Sequence, residues 1–528
     1  MPIAFTKGMK VWGLIITVLI LAGCGSSSST SNQSKAQTSS SMADTDVAES
    51  VASMGKGDLY YVNFDSSGQA TIALGGGASG ASYMLLVQST TTTSSTVSAT
   101  SSDVSAISAD LTSEFDMELR EREENLADRN ELPSYSVSTT GKSFGKALDE
   151  TSTFRVLSSI TSTSSYTTVT ATKRCTKDHM VTYIDNEVSS DTLTASDVET
   201  LCDQFEHAAA VDVETFGEPS DVNGDGKLVV LVSPAVNKLG ASGGGIITGY
   251  FYASDLFAQT SSNSTSNEME IVYILAPDPD GDYGTAISKE FAMSNLMPAV
   301  VPHEFQHAIS YNQHVFVNGG TTEKNWLNEG LSHYAEDHAG FGQENPSRME
   351  IFLESPETTR LATISSPNLG ERGAGYSFMR FLYEKAEDPA AFLAALENTT
   401  NTGETNIETA FAGSDPNFDE WEEFMRRWAI ALALTDAGVS STLQYQFDVR
   451  SLDPITGNWQ GICMICDADD NRGTMLAGPA ASDLSGGTLN VSLSGTATAF
   501  YNIASPTSTI TLSGKTSAGL QGVLIRMD

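Results

Sequence analysis

The chain reads as an α+β protein in which a mixed sheet comes first, a run of helices follows, and short β segments flank both. Three observations predict this. Strand-like apolar runs occur at 180–184, 228–232, 249–252 and 270–275, and a helical period over 195–210 separates the first two. From about Thr285 to Gly438 the apolar residues recur at helical spacing. Toward both ends the texture returns to alternating runs bounded by glycine, serine and threonine. A chain of 528 residues, 40% hydrophobic, can build two or three folded units of this kind.

The first residues stand apart from any fold. Lys7 and Lys10 precede an apolar run, Val11 to Leu21, that is short for a membrane span. The run closes on Leu21-Ala22-Gly23-Cys24, which resembles the lipobox of bacterial lipoproteins. That resemblance implies a signal peptide over 1–23 and a diacylglyceryl anchor on Cys24, hence a cell-envelope location with a membrane as partner. An uncleaved anchor is the alternative. Gly25 is not the aspartate expected of inner-membrane retention, which favours the outer membrane in a Gram-negative cell. Residues 24–56, rich in serine, read as a flexible tether.

The remaining elements follow in order. Residues 57–105 read as a small β domain and linker, with strands at 59–64, 70–74 and 83–87. Residues 106–173 read as a helical and linking segment. Within it Leu111, Phe115, Leu119 and Leu126 line one side of a charged helix that serves either as a propeptide or as a brace. Residues 174–470 carry the sheet and helices, and sheet before helices is the order of a zincin-like catalytic domain. Residues 471–528 read as a C-terminal β module, with strands near 488–493 and 508–512.

Charge and cysteines narrow the setting. With 66 acidic against 28 basic residues and a net charge of −38, the chain is no candidate for nucleic acid, whose phosphates require Lys and Arg. With Cys24 assigned to lipid, the spacings of the other four cysteines suggest disulfides Cys175–Cys202 and Cys463–Cys466, among three conceivable pairings. A redox or metal-binding role for the Cys463-Met464-Ile465-Cys466 pair is the competing reading.

The chemistry concentrates at His303-Glu304-Phe305-Gln306-His307. On a helix, positions i and i+4 share a face, so both imidazoles can reach one metal ion while Glu304 stands beside it as a base for water. Zinc suits imidazole ligands and needs a third protein ligand and an open position. Glu329, in Trp326-Leu327-Asn328-Glu329-Gly330-Leu331-Ser332, supplies the third if two antiparallel helices bring it back. Five of the seven histidines lie between His303 and His338, which composition does not require. A solvated helical carboxylate is the plainer reading of Glu329.

Together, HEFQH and the WLNEGLSHYAED that follows resemble the hyicolysin-type peptidases, gluzincins holding zinc with two histidines and a glutamate. The likeness takes in 216–227, 249–252, 267–270 and 375–382, and covers about Arg174 to Gly438. It implies a zinc endopeptidase acting on protein or peptide substrates, with His303, His307 and Glu329 as ligands and Glu304 as base. Two positions depart from the pattern. Pro302 denies the helix a donor directly before His303, so the helix either starts there or kinks there. The position where thermolysin-like relatives carry a supporting aspartate is His333, which passes that role to Glu336 or Asp337.

For the oxyanion donor we expect Tyr376, opening a helix over 376–385, since gluzincins often use a Tyr or His from a later helix. A core aromatic is the alternative for Tyr376, and His314 and His338 are the alternative donors. Finally, Asp221, Asn223, Asp225 and Gly226 reproduce the first half of a calcium loop, but Val232 stands where an EF-hand has glutamate. Structural calcium and a plain turn compete there.

Overall fold

The computed structural model describes residues 46–74, 81–101, 119, 148–363, 367–411, 417–468, 470, 473–484, 487–503 and 509–528, and the structural statements below concern those residues. The signal segment, Cys24 and most of the tether lie outside them, as does the charged helix read at 109–130 except for Leu119, which is buried in the main core. No helix among the described residues is long and apolar enough to cross a membrane.

The central sheet has six strands: β5 (Thr151–Leu157), β6 (Tyr166–Thr176), β7 (Met180–Asp185), β8 (Leu228–Val232), β9 (Gly249–Phe251) and β10 (Ile271–Ile274). Their order is β5-β6-β7-β8-β10-β9, parallel across β7, β8 and β10 and antiparallel at both sides. Every residue of β7, β8 and β10 is buried, as expected of parallel strands covered on both faces. The sheet starts at Thr151 and not near Arg174. β5 and β6 are rich in Thr and Ser, and their exposed face made them read as a linker. Their inward residues Phe154, Val156, Val169 and Ala171 nonetheless belong to the core.

Helix α1 (Ala195–Phe216) opens with a reciprocal cap between Thr194 and Asp197 and buries Leu201, Phe205 and Ala208. After α2 (Pro234–Ser242) comes α3 (Met297–Tyr311), every residue of which is buried. Pro302 neither starts this helix nor ends it. The helix runs through Pro302 from Met297, directly after a π-turn at Ala292–Leu296, a local widening that commonly accompanies functional helices. The bundle continues with α4 (Asn325–His338), α5 (Asn345–Glu354), α6 (Leu369–Lys385), α7 (Pro389–Glu397), α8 (Glu404–Ala410) and α9 (Trp421–Leu434). A small hairpin, β11 (Ser451–Leu452) with β12 (Trp459–Gln460), follows. Disulfides join Cys175 on β6 to Cys202 on α1, and Cys463 to Cys466.

The two flanking β segments do not form separate modules. Strands β1 (Leu59–Asn63), β2 (Gln69–Ala73), β3 (Tyr83–Ser89) and β4 (Ser95–Ser101) interleave with β13 (Ala481–Asp483), β14 (Gly487–Leu493), β15 (Thr498–Ile503), β16 (Thr509–Ser513) and β17 (Leu520–Arg526). The result is two sheets, β1-β17-β3-β15-β13 and β14-β4-β16-β2. Apart from β13–β15, every neighbouring pair joins an early strand to a late one. Neither half could close its own edges, and unpaired edges are costly. Between the sheets, Ile72, Leu85 and Val97 pack with Leu489, Tyr501 and Leu512. On the outer face, Leu86 and Val523 pack against Ile430 and Leu434 of α9.

This interleaving makes truncation informative. A chain ending at Asp470 deprives β1–β4 of all their sheet partners, so residues 46–101 should become sensitive to limited proteolysis while the six-stranded sheet persists. Protease resistance of 46–101 in that chain would count against a single shared sandwich.

Candidate metal centre

Helix α3 delivers the motif in a fully buried setting because α1, α4, β9 and β10 all pack on it. Two close approaches set the distances. At Gly249 on edge strand β9, an added Cβ would stand 2.3 Å from Val300 Cγ1 of α3, so only glycine lets that strand lie so near the helix. At Gly330 on α4, an added Cβ would stand 3.2 Å from the Gly375 carbonyl oxygen of α6. The two helices cross where both lack side chains.

Within this frame His303, His307 and Glu329 each bring one ligand atom to a common point, all within 4.8 Å of one another. Glu329 Oε2 lies 3.5 Å from His303 Nε2, and Glu329 Oε1 lies 3.4 Å from His307 Nε2. These gaps exceed good hydrogen bonds and match the separation of about 3.3 Å expected between ligands around tetrahedral zinc. A second grouping, His303, His333 and Glu336, is equally close. There, however, Glu336 Oε1 sits 2.8 Å from His303 Nδ1 and 2.9 Å from His333 Nδ1, which are hydrogen-bond distances. Glu336 therefore holds His303 through Nδ1 and leaves Nε2 facing Glu329, the arrangement found behind histidines that bind metals. Asp337 serves elsewhere, binding Arg380 Nη1 at 2.9 Å and the Gly461 amide.

Charge balance follows from burial. Burial alone would raise Glu329, but Arg372 together with His303 and His307 holds it well below the usual carboxylate range. Arg372 Nη1 lies 3.0 Å from Glu329 Oε2. Burial would lower His303, yet the neighbouring carboxylates of Glu329, Glu336 and Glu304 raise it to about 10. His333 drops to about 4, mainly through burial, so Glu336 faces one charged and one neutral imidazole. The buried carboxyl of Asp212 on α1 also lies in the field of His303 and is pushed well up by its burial.

Glu304 lies beside the ligands, with Oε1 3.9 Å from His303 Nε2. Its other oxygen, Oε2, accepts the Phe251 amide of β9 at 2.9 Å. His307 is backed by Ser332 Oγ, 3.2 Å from Nδ1 and 3.3 Å from Nε2, and Ser332 donates to Gln306 Oε1 at 2.6 Å.

Not every expected residue joins this group. Helix α6 begins at Leu369, not at Tyr376, so Tyr376 falls in the helix interior. It is 3% exposed, and its hydroxyl donates to Asp337. The side chain of α6 that reaches the ligands is Arg372, one turn earlier, which no local sequence pattern singles out. His338 stacks on Tyr334, and His314 belongs to a different buried cluster. At the suspected calcium loop, Gly226 and Lys227 amides donate to Asp221 and Asp225, and Asn223 donates to Asp225. These are the hydrogen bonds of a turn.

No family model matches the chain. It is 26% identical over 231 residues to the neutral metalloprotease ShpI of Staphylococcus hyicus, a match spanning 42% of this chain and 50% of that protein. The chain thus aligns with about half the length of this curated relative. Among solved structures, Legionella pneumophila aminopeptidase A in complex with aspartic acid overlaps 67% of this chain and 35% of its own, at 10% identity and a TM-score of 0.27. The distant homology to ShpI supports a metallopeptidase.

Proton competition gives a test of the centre. Below about 10 the metal-free His303 holds a proton that an incoming ion must displace. Zinc affinity should therefore rise about tenfold per pH unit from neutrality toward that value. Competition against a chromogenic chelator at pH 6.5, 7.5 and 8.5 measures the slope, and a flat response would remove His303 from the ligand set.

Proposed function

We propose that the protein is a zinc-dependent endopeptidase of zincin-like fold, tethered to the cell envelope by lipid on Cys24. The observation that carries the catalytic part is the convergence of His303, His307 and Glu329 at ligand spacing, with Glu304 beside them. Two imidazole nitrogens and a carboxylate oxygen form a donor set that suits zinc and leaves a coordination position open. The homology to a neutral metalloprotease supports the same reading.

Zinc, when bound here, polarises a peptide carbonyl and makes water more acidic. The chain's own groups do the rest. Glu304 is fixed at Oε2 by the Phe251 amide, so Oε1 is the atom that takes a proton from the attacking water. As the water oxygen bonds to the carbonyl carbon and the C–N bond breaks, Glu304 passes that proton to the leaving amine. Strand β9 lies at the edge of the sheet beside α3 and offers an extended substrate a strand to align with. This favours cleavage within a chain over removal of terminal residues. Arg372 keeps Glu329 ionised, and Glu336 aims His303.

Glu304→Gln should retain zinc and lose casein hydrolysis by about 10²–10⁴-fold. Chelation should abolish the wild-type activity, and added zinc should restore it. Full activity in the variant would sink the assignment of the base, and hydrolysis of aminoacyl anilides without casein cleavage would make the enzyme an exopeptidase.

The envelope tether rests on Lys7, Lys10, the apolar run and Cys24. Labelled palmitate should enter the wild-type protein in cells, and Cys24→Ala should abolish that incorporation and release the protein from the membrane fraction. Equal labelling of both would refute the lipid anchor.

A further inference from the structure

A cavity of about 460 Å³ lies between α1, the turn after α4 and the β11–β12 hairpin, and none of its lining residues is a metal ligand or the base. Helix α1 supplies Gln204 and His207, which stand three apart and so share a face. The turn after α4 supplies Phe341 and Gln343, and the hairpin loop supplies Ile455 and Asn458. The loop is fastened to the end of α4, since Asn458 Nδ2 donates to the Gly340 carbonyl at 2.8 Å. His207 stands edge-on to the Phe341 ring with centroids 6.1 Å apart, which seats the imidazole between two of the walls.

Polar atoms on these walls lack partners. Gln204 Oε1, His207 Nε2 and Gln343 Oε1 are buried without a hydrogen bond, and Gln343 is 8% exposed. Buried polar atoms are normally paired, so three such atoms on one cavity, from two separate elements, mark a place where something binds. The walls also narrow what it is. Among the described residues no Lys or Arg lines the cavity, which disfavours an anion. Its one acid, Asp203, is paired with Lys177, which leaves no countercharge for a cation. A wholly apolar ligand would leave the amides and the imidazole unpaired.

A neutral ligand carrying several hydroxyls meets every one of these conditions. Each hydroxyl both donates and accepts, so it satisfies an amide turned either way and an imidazole in either tautomer. Phe341 at the floor and Ile455, 71% exposed at the rim, add apolar surface for the C–H groups of a sugar ring. The volume falls within the range of about 300–1,000 Å³ typical of small-molecule sites. We infer that this cavity is a binding site for a neutral sugar unit, held by Gln204, His207 and Gln343. A free oligosaccharide and a glycan borne on a protein offer it the same chemistry.

The inference stands apart from the peptidase reading and is tested apart from it. Saturation-transfer NMR on the full folded chain, with glucose, galactose, mannose and N-acetylglucosamine titrated in turn, should give a saturable signal for at least one. Gln204→Ala and Gln343→Ala should each weaken that binding about tenfold, the effect of one lost hydrogen bond. If Gln343→Ala fails to fold, Ile455→Trp at the exposed rim closes the mouth and gives the same readout. Crystals soaked in the bound sugar should show it in the cavity. Tighter binding of a glycoprotein than of its deglycosylated form assigns the site to protein-borne glycans, and equal binding of the two assigns it to free oligosaccharide. No saturable signal from any of the four sugars overturns the site. So does a signal unchanged in all the variants, or a soaked crystal with only water in the cavity.

Discussion

The charge on Glu329 is the constraint around which this protein is arranged. A carboxylate with 1% of its surface exposed is stable only if cations surround it, and three elements are bent to that purpose. Helix α3 brings two imidazoles, α6 brings a guanidinium, and α4 carries the carboxylate between them. Arg372 balances the site without taking the place of an ion, since it touches one oxygen while the imidazoles face both. Helix packing supplies the precision. Only because Gly330 and Gly375 meet without side chains can α6 come near enough for Arg372 to reach, and only because Gly249 is bare can β9 set an amide on Glu304.

Local features of this design were legible in the sequence, and distant ones were not. His303, Glu304 and His307 follow from helical spacing alone, and Glu329 from a nearby helix with the right partner chemistry. Glu336 was one of two candidates, because a helical face narrows a supporting carboxylate only to neighbouring positions; it is Glu336 that lies against His303, while Asp337 lies against Arg380. Arg372 was invisible: nothing near it in sequence marks it, and its meaning comes from a helix crossing. Tyr376 was singled out because the resemblance calls for a Tyr or His on a later helix. In the structure it lies inside the helix that begins at Leu369, with its hydroxyl bonded to Asp337.

The same split applies to the fold. The strands of β7, β8 and β10 announce themselves as continuous apolar runs because both faces are covered. β5 and β6, polar on one face, resemble linkers until their partners are known. The two β ends had correct strands and the wrong organisation, since alternation reveals that a segment pairs but not with what. Pro302 is a related case. A proline rule written for isolated helices predicts a start or a kink; the start is at Met297, and the helix, packed along its length with a π-turn just ahead, carries Pro302 in its interior.

The woven sandwich also orders events in time. Its early strands must wait for partners that lie about four hundred residues later in the chain, one of the longest loop closures a sequence of this size can hold. During synthesis the intervening sheet and helices can assemble first from nearer contacts, while β1–β4 remain without neighbours. The late strands then act as a zipper, drawing β1 and β3 together with β15 and β17 against α9. Arrival of β14–β17 is thereby registered in the fold itself, since a molecule lacking them keeps its first strands open to proteases.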